Sequence, residues 1–210
     1  MKKNENLKEL TTILVAAIVL AVIVSFSNRD LFIAAILSFL IILSSNTLTK
    51  KIVAYIFEID VKISFWKMYQ FGFRKDSHFK FPLPMLWLPL ILALFSKGTI
   101  WFFALLEFDV DAKTERVSRR HGLYRFSQVT EWHIAWIATW GIITNIIMAI
   151  IGYSLGYEFF AKLSIYYAAW SLIPFSSLDG TKILFGSKVL WAVLFVIATI
   201  FFGWGLIIQI

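Results

Sequence analysis

Apolar residues in this chain run in long unbroken stretches, with neither the alternation of a strand nor the narrow stripe of a soluble helix. Residues 11–26, 31–57, 132–155 and 188–208 each read as an apolar helix, and residues 162–173 as a shorter one. About 20 apolar residues carry a helix across the hydrocarbon core of a bilayer. A β-barrel would alternate over segments of ~10 residues instead. The expected fold class is all-α: a polytopic transmembrane helical bundle of about six membrane segments, with a re-entrant element.

The interruptions refine this picture. The first run follows the basic start MKKNENLKEL, as a signal peptide would. It is long for that role, and Ser25-Phe26-Ser27 is a poor small-x-small cleavage site, so a retained first helix is expected. The run 31–57 is long for one span and turns polar over 44–51. Residues 58–80 hold Lys62, Lys67, Arg74, Lys75 and Lys80, and 61–73 mixes β-branched, aromatic and polar residues in the manner of a short strand or interfacial segment. Residues 82–95 are apolar but carry Pro82, Pro84 and Pro89. Ser96-Lys97-Gly98 breaks the run and 99–106 resumes it. Two full spans do not fit there. A re-entrant pair of half-helices, 82–95 and 99–106, does fit, because broken helices are tolerated where protein buries them. The loop 107–131 is charged, with Lys113, Arg116, Arg119, Arg120 and Arg125. A short helix is expected over 181–185. The chain thus divides into an N-terminal transmembrane helix, 1–30, a membrane core, 31–186, and a C-terminal transmembrane helix, 187–210.

Composition agrees. Of 210 residues, 60% are hydrophobic, and the mean hydropathy is +0.78, above the roughly half-apolar make-up of soluble domains. The net charge is +7. Basic residues in a membrane protein mark cytoplasmic loops, and no nucleic-acid motif accompanies them, so nucleic acid is excluded as a partner. The expected partners are membrane lipids and transmembrane segments of other proteins. The expected location is the plasma membrane of a prokaryote, as a multi-pass integral protein. There is no cysteine, which removes disulfides and thiolate metal sites. The charge rule places the N-terminus and both basic loops on the cytoplasmic side, which brings Asn46–Lys50 and Asp179 to a similar depth.

Asp179 is the residue with chemical content. An ionisable side chain inside a membrane segment is a functional candidate. Alone, Asp179-Gly180 also reads as a turn in which Asp caps the next helix. The surrounding residues point further. Ile173-Pro174, then Leu178-Asp179-Gly180 and Lys182-Ile183-Leu184, resemble the third-ligand motif of the site-2 protease family of intramembrane zinc metalloproteases, roughly N-x-x-P-x-x-P-L-D-G-x-x-I-L. Ser171 stands where that family has Asn, and Ser177 where a second Pro often sits. Trp140-Gly141-Ile142-Ile143-Thr144-Asn145 is similar to the family's G-P-x-x-N, with Ile142 in place of Pro.

The resemblance covers most of 31–186 and implies roles. Asp179 is the family-equivalent third zinc ligand. Asn145 matches an Asn near the substrate; its plainer reading is an interhelical hydrogen bond. Lys51-Ile52-Val53-Ala54-Tyr55 aligns with the residues that follow H-E-x-x-H, which puts Asn46 at the first ligand position, Thr47 at the general-base position and Lys50 at the second ligand position. Two His at i and i+4 share one helix face and bind Zn²⁺, while the Glu takes a proton from bound water. Asn46, Thr47 and Lys50 supply none of this. Zinc, the family's cofactor, is therefore not expected, and neither is proteolysis.

The expected chain is a catalytically inactive homologue with a binding or regulatory role. Two alternatives stay open: an active metalloprotease with non-standard ligands, and an ion or proton transporter using Asp179 and Lys50. Transport would call for further ionisable groups along the later helices, which hold few. His78, His121 and His133 show no i, i+4 ligand spacing. Ser176, Ser177 and Thr47 lie near the site without a G-x-S-x-G elbow. Arg119-Arg120-His121 suits either anionic headgroups or a solvated loop. Lys50 is expected either to pair with Asp179 or to snorkel toward the interface.

Overall fold

The computed structural model describes residues 2–26, 28–70, 78–113, 120–121, 124–125 and 129–207. It is mostly helical. Helix α1, Lys2–Ser25, and helix α2, Phe32–Ile56, form a hairpin joined by a 3₁₀ turn, Arg29–Leu31. Asn28 starts that turn, its side-chain oxygen accepting from the Asp30 N–H at 3.1 Å. Ala16, Ala17, Leu20 and Ala21 of α1 are buried against Ala35, Phe39, Ile42 and Leu43 of α2. Small residues on one helix let the aromatic and branched side chains of the other approach closely.

Strand β1, Ile59–Phe65, follows directly. Its Ile59, Val61 and Ile63 are buried while Asp60 and Lys62 face out, the period of two of a one-sided strand. It pairs antiparallel with β4, Leu106–Ala112, in a register running from Ile59↔Ala112 to Phe65↔Leu106. A second pair joins β2, Lys67–Gln70, to β3, His78–Pro84. Helix α3, Trp87–Phe95, lies between β3 and β4, and a third short pair joins β5, Arg120–His121, to β6, Tyr124–Arg125. Helices α4, Glu131–Ser154, α5, Glu158–Ser171, α6, Asp179–Gly186, and α7, Lys188–Ile207, complete the chain. Helix α4 is central and packs on α2, α5 and α6, while α7 lies outermost against α5 and α6.

Among the described residues, four helical stretches are long and apolar enough to cross a membrane: Glu5–Ser25, Arg29–Ile56, Glu131–Ser154 and Lys188–Ile207. Helix α5 has 14 residues, about 21 Å at 1.5 Å per residue, which is short of a full crossing.

Three expectations need correction. The chain is not purely helical, because the charged segments after α2 and before α4 pair as strands. They alternate in burial, and pairing satisfies backbone groups that would otherwise lie against the apolar helices. The second half-helix, 99–106, does not form. Residues 101–105 are irregular and Leu106 opens β4. Its composition, Thr-Ile-Trp-Phe-Phe, favours extended backbone. Phe103, Ala104 and Leu105 are buried there, and the Leu105 carbonyl accepts from the Trp66 N–H at 2.9 Å. The first half-helix is shorter than expected, because Pro82 and Pro84 lie in β3 and only Trp87–Phe95 is helical. The first helix starts at Lys2, nine residues before the apolar run, and α5 starts at Glu158, whose carboxylate suits a helix N-terminus.

The β1–β4 ladder and the Lys113 N–H bond to the Glu58 carbonyl, 3.2 Å, hold the starts of the two basic segments together, so those starts share one side of any membrane the helices cross. Cysteines placed at Ser77 and Ser118, which lie outside the described residues, are expected to label with a membrane-impermeant maleimide from the same side. Labelling from opposite sides would contradict the pairing. The chain's lack of native cysteine leaves no background.

Candidate functional site

The site forms where α2, α4, β4 and α6 meet. Asn46 and Lys50 are one helical turn apart and so share one face of α2. Both are buried, Lys50 to 4% exposure. Lys50 Nζ donates to Asp179 Oδ2 at 2.6 Å, and Asp179 is 3% exposed. Of the two outcomes open to Lys50, the ion pair is the one found. The partners are 129 residues apart in sequence.

Two glycines make room for this contact. A Cβ on Gly141 would stand 2.5 Å from Lys50 Cε and 3.0 Å from Asn46 Nδ2. The lysine stem therefore crosses α4 over a position that only glycine can occupy without displacing it. Asn46 Nδ2 donates to the Gly141 carbonyl at 2.9 Å, which holds α2 and α4 together beside the crossing. A Cβ on Gly180 would stand 2.0 Å from the Leu172 carbonyl oxygen. Helix α6 thus begins with its backbone against the end of α5, and that contact aims Asp179 at α2.

Asp179 does not cap its helix. The N-cap is Leu178, without a side-chain cap bond, and Asp179 is the first helical residue. Its carboxylate still gains from the helix N-terminus, but its bond goes across to α2. Pro174 follows the end of α5, as read from sequence. Ser176 in the connecting turn has φ +52°, a left-handed conformation uncommon outside glycine.

A second cation sits beside the pair. Lys182 Nζ lies 3.7 Å from the centre of the buried Phe108 ring and donates to the Phe108 carbonyl; Lys50 Nζ lies 4.9 Å from the same ring. Two ammonium groups on one aromatic ring is a cation–π arrangement. Burial pushes the Lys182 ammonium down from 10.5 to about 8, with Asp179 pulling it up and Lys50 pushing it further down. Next to Phe108, Glu107 accepts from Ser177 of the turn before α6 and from Ser64 of β1 at 3.4 Å. Burial raises its pKa above the usual carboxylate range, against the Ser177 hydrogen bond that lowers it.

Asn145 is one turn beyond Gly141 on α4 and fully buried. Its carbonyl accepts from Ser164 Oγ of α5 at 2.7 Å. Neither atom of its side-chain amide has a protein hydrogen-bond partner among the described residues, so the interhelical bond at this residue runs through its backbone. Thr47 is buried on α2. His133 starts α4, where its ring bonds Thr130 and touches Phe57 and Trp132. The side chains of His78, Arg120 and His121, and all of Arg119, lie outside the described residues.

This donor set does not fit zinc. Of the two helix-α2 ligand positions that the resemblance implies, one holds an ammonium already bonded to the carboxylate, and the amide nitrogen at the other faces a carbonyl. Among the described residues, no three His, Cys, Asp or Glu side chains gather as a metal site would need. What the arrangement does supply is a buried, hydrogen-bonded charge pair that links two helices.

Glu107, Phe108 and Lys182 were not anticipated from sequence. Lys182 carried a signal, because it lies three residues after Asp179 and so on nearly the same helix face. Glu107 and Phe108 carried none, since their segment reads as a charged loop until β4 is seen to pair with β1.

Two outcomes follow. In a double-mutant cycle with Lys50→Met and Asp179→Asn, losing one partner is expected to be worse than losing both, with about 1–3 kcal/mol of coupling, because a lone buried charge is left unpaired. Unfolding in detergent measures it, and additive effects would refute it. For Lys182, the unfolded chain still holds a proton that the folded chain has released between about pH 8 and 10.5. Its contribution to stability therefore rises with pH across that window. Thermal midpoints across the window should rise less steeply in Lys182→Met than in the unaltered protein.

Compared with protein-family models, with curated proteins and with solved structures, the chain shows no match.

Proposed function

We propose that this chain is a multi-pass membrane protein with a site-2-protease-like core, in which a lysine ammonium has replaced the metal and peptide cleavage has been lost. It binds transmembrane segments of other proteins without cutting them. The observation that carries this reading is the Lys50–Asp179 bond. The second-ligand and third-ligand positions implied by the resemblance, far apart in the chain, meet at 2.6 Å. A scaffold that once converged on a cation would bring those two positions together. A charged donor on a flexible stem fills such a point without metal chemistry. Asn46 and Gly141 at the same junction, and Asn145 one turn away, support the same reading. The buried amide of Asn145 has no hydrogen-bond partner among the described residues, and so keeps a donor and an acceptor unused beside the junction.

Restoring the ligands tests it. The triple variant Asn46→His, Thr47→Glu, Lys50→His is expected to bind one zinc per chain and to lose it when Asp179→Ala is added. The unaltered protein is expected to bind none. Metal analysis of the purified proteins reads both results. Stoichiometric zinc in the unaltered protein, lost on Asp179→Ala, would favour a working metalloprotease with unfamiliar ligands. Failure of the folded triple variant to hold zinc would remove the ancestral geometry on which the proposal rests.

A further inference from the structure

The start of α1 and the end of α2 meet at one end of their hairpin, and β1 crosses beside them. Between them lies a pocket of about 220 Å³. Its wall is charged with both signs: Glu5 and Glu9 from α1, Lys51 from α2, Asp60 and Lys62 from β1, and Lys113 after β4. A second cavity, about 450 Å³, opens off the same place and runs down the hairpin between Leu10, Ile13 and Leu14 of α1 and Leu40 of α2. Asn6, Glu9 and Lys51 line both. A polar chamber and an apolar groove thus adjoin at Asn6, Glu9 and Lys51.

We infer that these two adjoining cavities together form a binding site for one phospholipid with a primary-amine headgroup, of the phosphatidylethanolamine class. The order of the groups along the two cavities matches the order of groups along such a molecule. The apolar groove takes an acyl chain. From Asn6 to Leu14 the α1 wall is about 12 Å long, enough for much of one chain. Lys51 stands at the junction of groove and chamber, where a phosphodiester joins the glycerol. Its ammonium already donates to Glu9, and two of its three donors remain for phosphate oxygens. Glu9 also accepts from the Ile63 N–H at 3.2 Å, which fixes this junction against β1. Farther out, Glu5 and Asp60 offer carboxylates to a primary ammonium. Lys113 sits there too, 3.7 Å from Asp60 and over the Tyr55 ring at 4.4 Å.

Charge balance selects the headgroup. The chamber holds three carboxylates and three ammonium groups. Phosphatidylglycerol would meet the outer carboxylates with no cation of its own, and the extra carboxylate of phosphatidylserine would add a negative charge beside them. A choline headgroup carries a positive charge but no N–H to donate. Only a headgroup with both a phosphate and a primary ammonium satisfies both ends.

Native mass spectrometry of the full-length protein tests this, using delipidated protein and an equimolar mixture of phosphatidylethanolamine, phosphatidylcholine and phosphatidylglycerol. The expected result is one tightly held phosphatidylethanolamine, preferred over each of the others by about fivefold or more, as one well-placed charge contact provides. Glu5→Gln with Asp60→Asn should abolish the preference while one phospholipid of any class is still held. Lys51→Met should reduce retention of all three. Both carboxylate changes lie at exposed side chains; Glu5→Gln alone serves if the double variant does not fold, and should weaken the preference. Equal retention of the three lipids, a preference for phosphatidylglycerol, or an unchanged preference in the carboxylate variant would overturn the assignment.

Discussion

A single buried ion pair organises the centre of this molecule. A carboxylate in a low-dielectric interior needs a partner or a proton, and Asp179 has the Lys50 ammonium. The surrounding structure is arranged to permit that contact. Gly141 lets the lysine stem cross α4, Gly180 lets α6 sit against the end of α5, and Phe108 offers its ring face to the charge. The pair is not a source of great stability, because desolvation offsets much of the Coulomb attraction. It acts instead as a specificity device, since only one register of α2 against α6 pairs both charges.

The second lysine adds a layer to this arrangement. With Lys182 beside Lys50, the junction carries two cations near one buried carboxylate, and Glu107 on the adjoining strand accepts from the turn that delivers Asp179. Strand β4 is thereby part of the same polar cluster, with the Phe108 carbonyl and ring on one side and the Glu107 carboxylate on the other. The small sheet is more than a cover for the helices. It carries the residues that hold α6 at its start.

Much of this was legible in the sequence, for identifiable reasons. The four long helices announce themselves, because an apolar run in a membrane protein is nearly independent of tertiary context. A short strand or interfacial segment was expected over 61–73 from its mix of β-branched, aromatic and polar residues, and β1 begins two residues earlier, at Ile59. The Lys50–Asp179 contact was expected as one of two outcomes for Lys50, because the resemblance puts a cation and a carboxylate at positions that converge in that family. What could not be read depended on pairing across the chain. Nothing near Leu106 says that it begins a strand, since β4 exists only because β1 is there to receive it. The irregular path of 101–105 is tied at Leu105 to Trp66, 39 residues earlier. Glu107 and Phe108 enter the site only through that pairing, and the glycine notch at 141 is apparent only once a side chain lies across it.

The distance between Lys50 and Asp179 along the chain has a consequence for how the protein is made. Synthesis delivers α2 long before α6, so Lys50 reaches the bilayer with its counter-ion not yet translated. On insertion scales a lysine costs about 2.5–3.5 kcal/mol at the helix centre and less toward an end, and Lys50 lies near the end of α2, so the apolar remainder of α2 can carry it alone. Its neighbour Lys51 has no such wait, because Glu9 is already present on α1. Biogenesis therefore has an order built into it. The α1–α2 hairpin can settle first, held at Lys51, while Lys50 stays uncompensated until the last third of the polypeptide arrives.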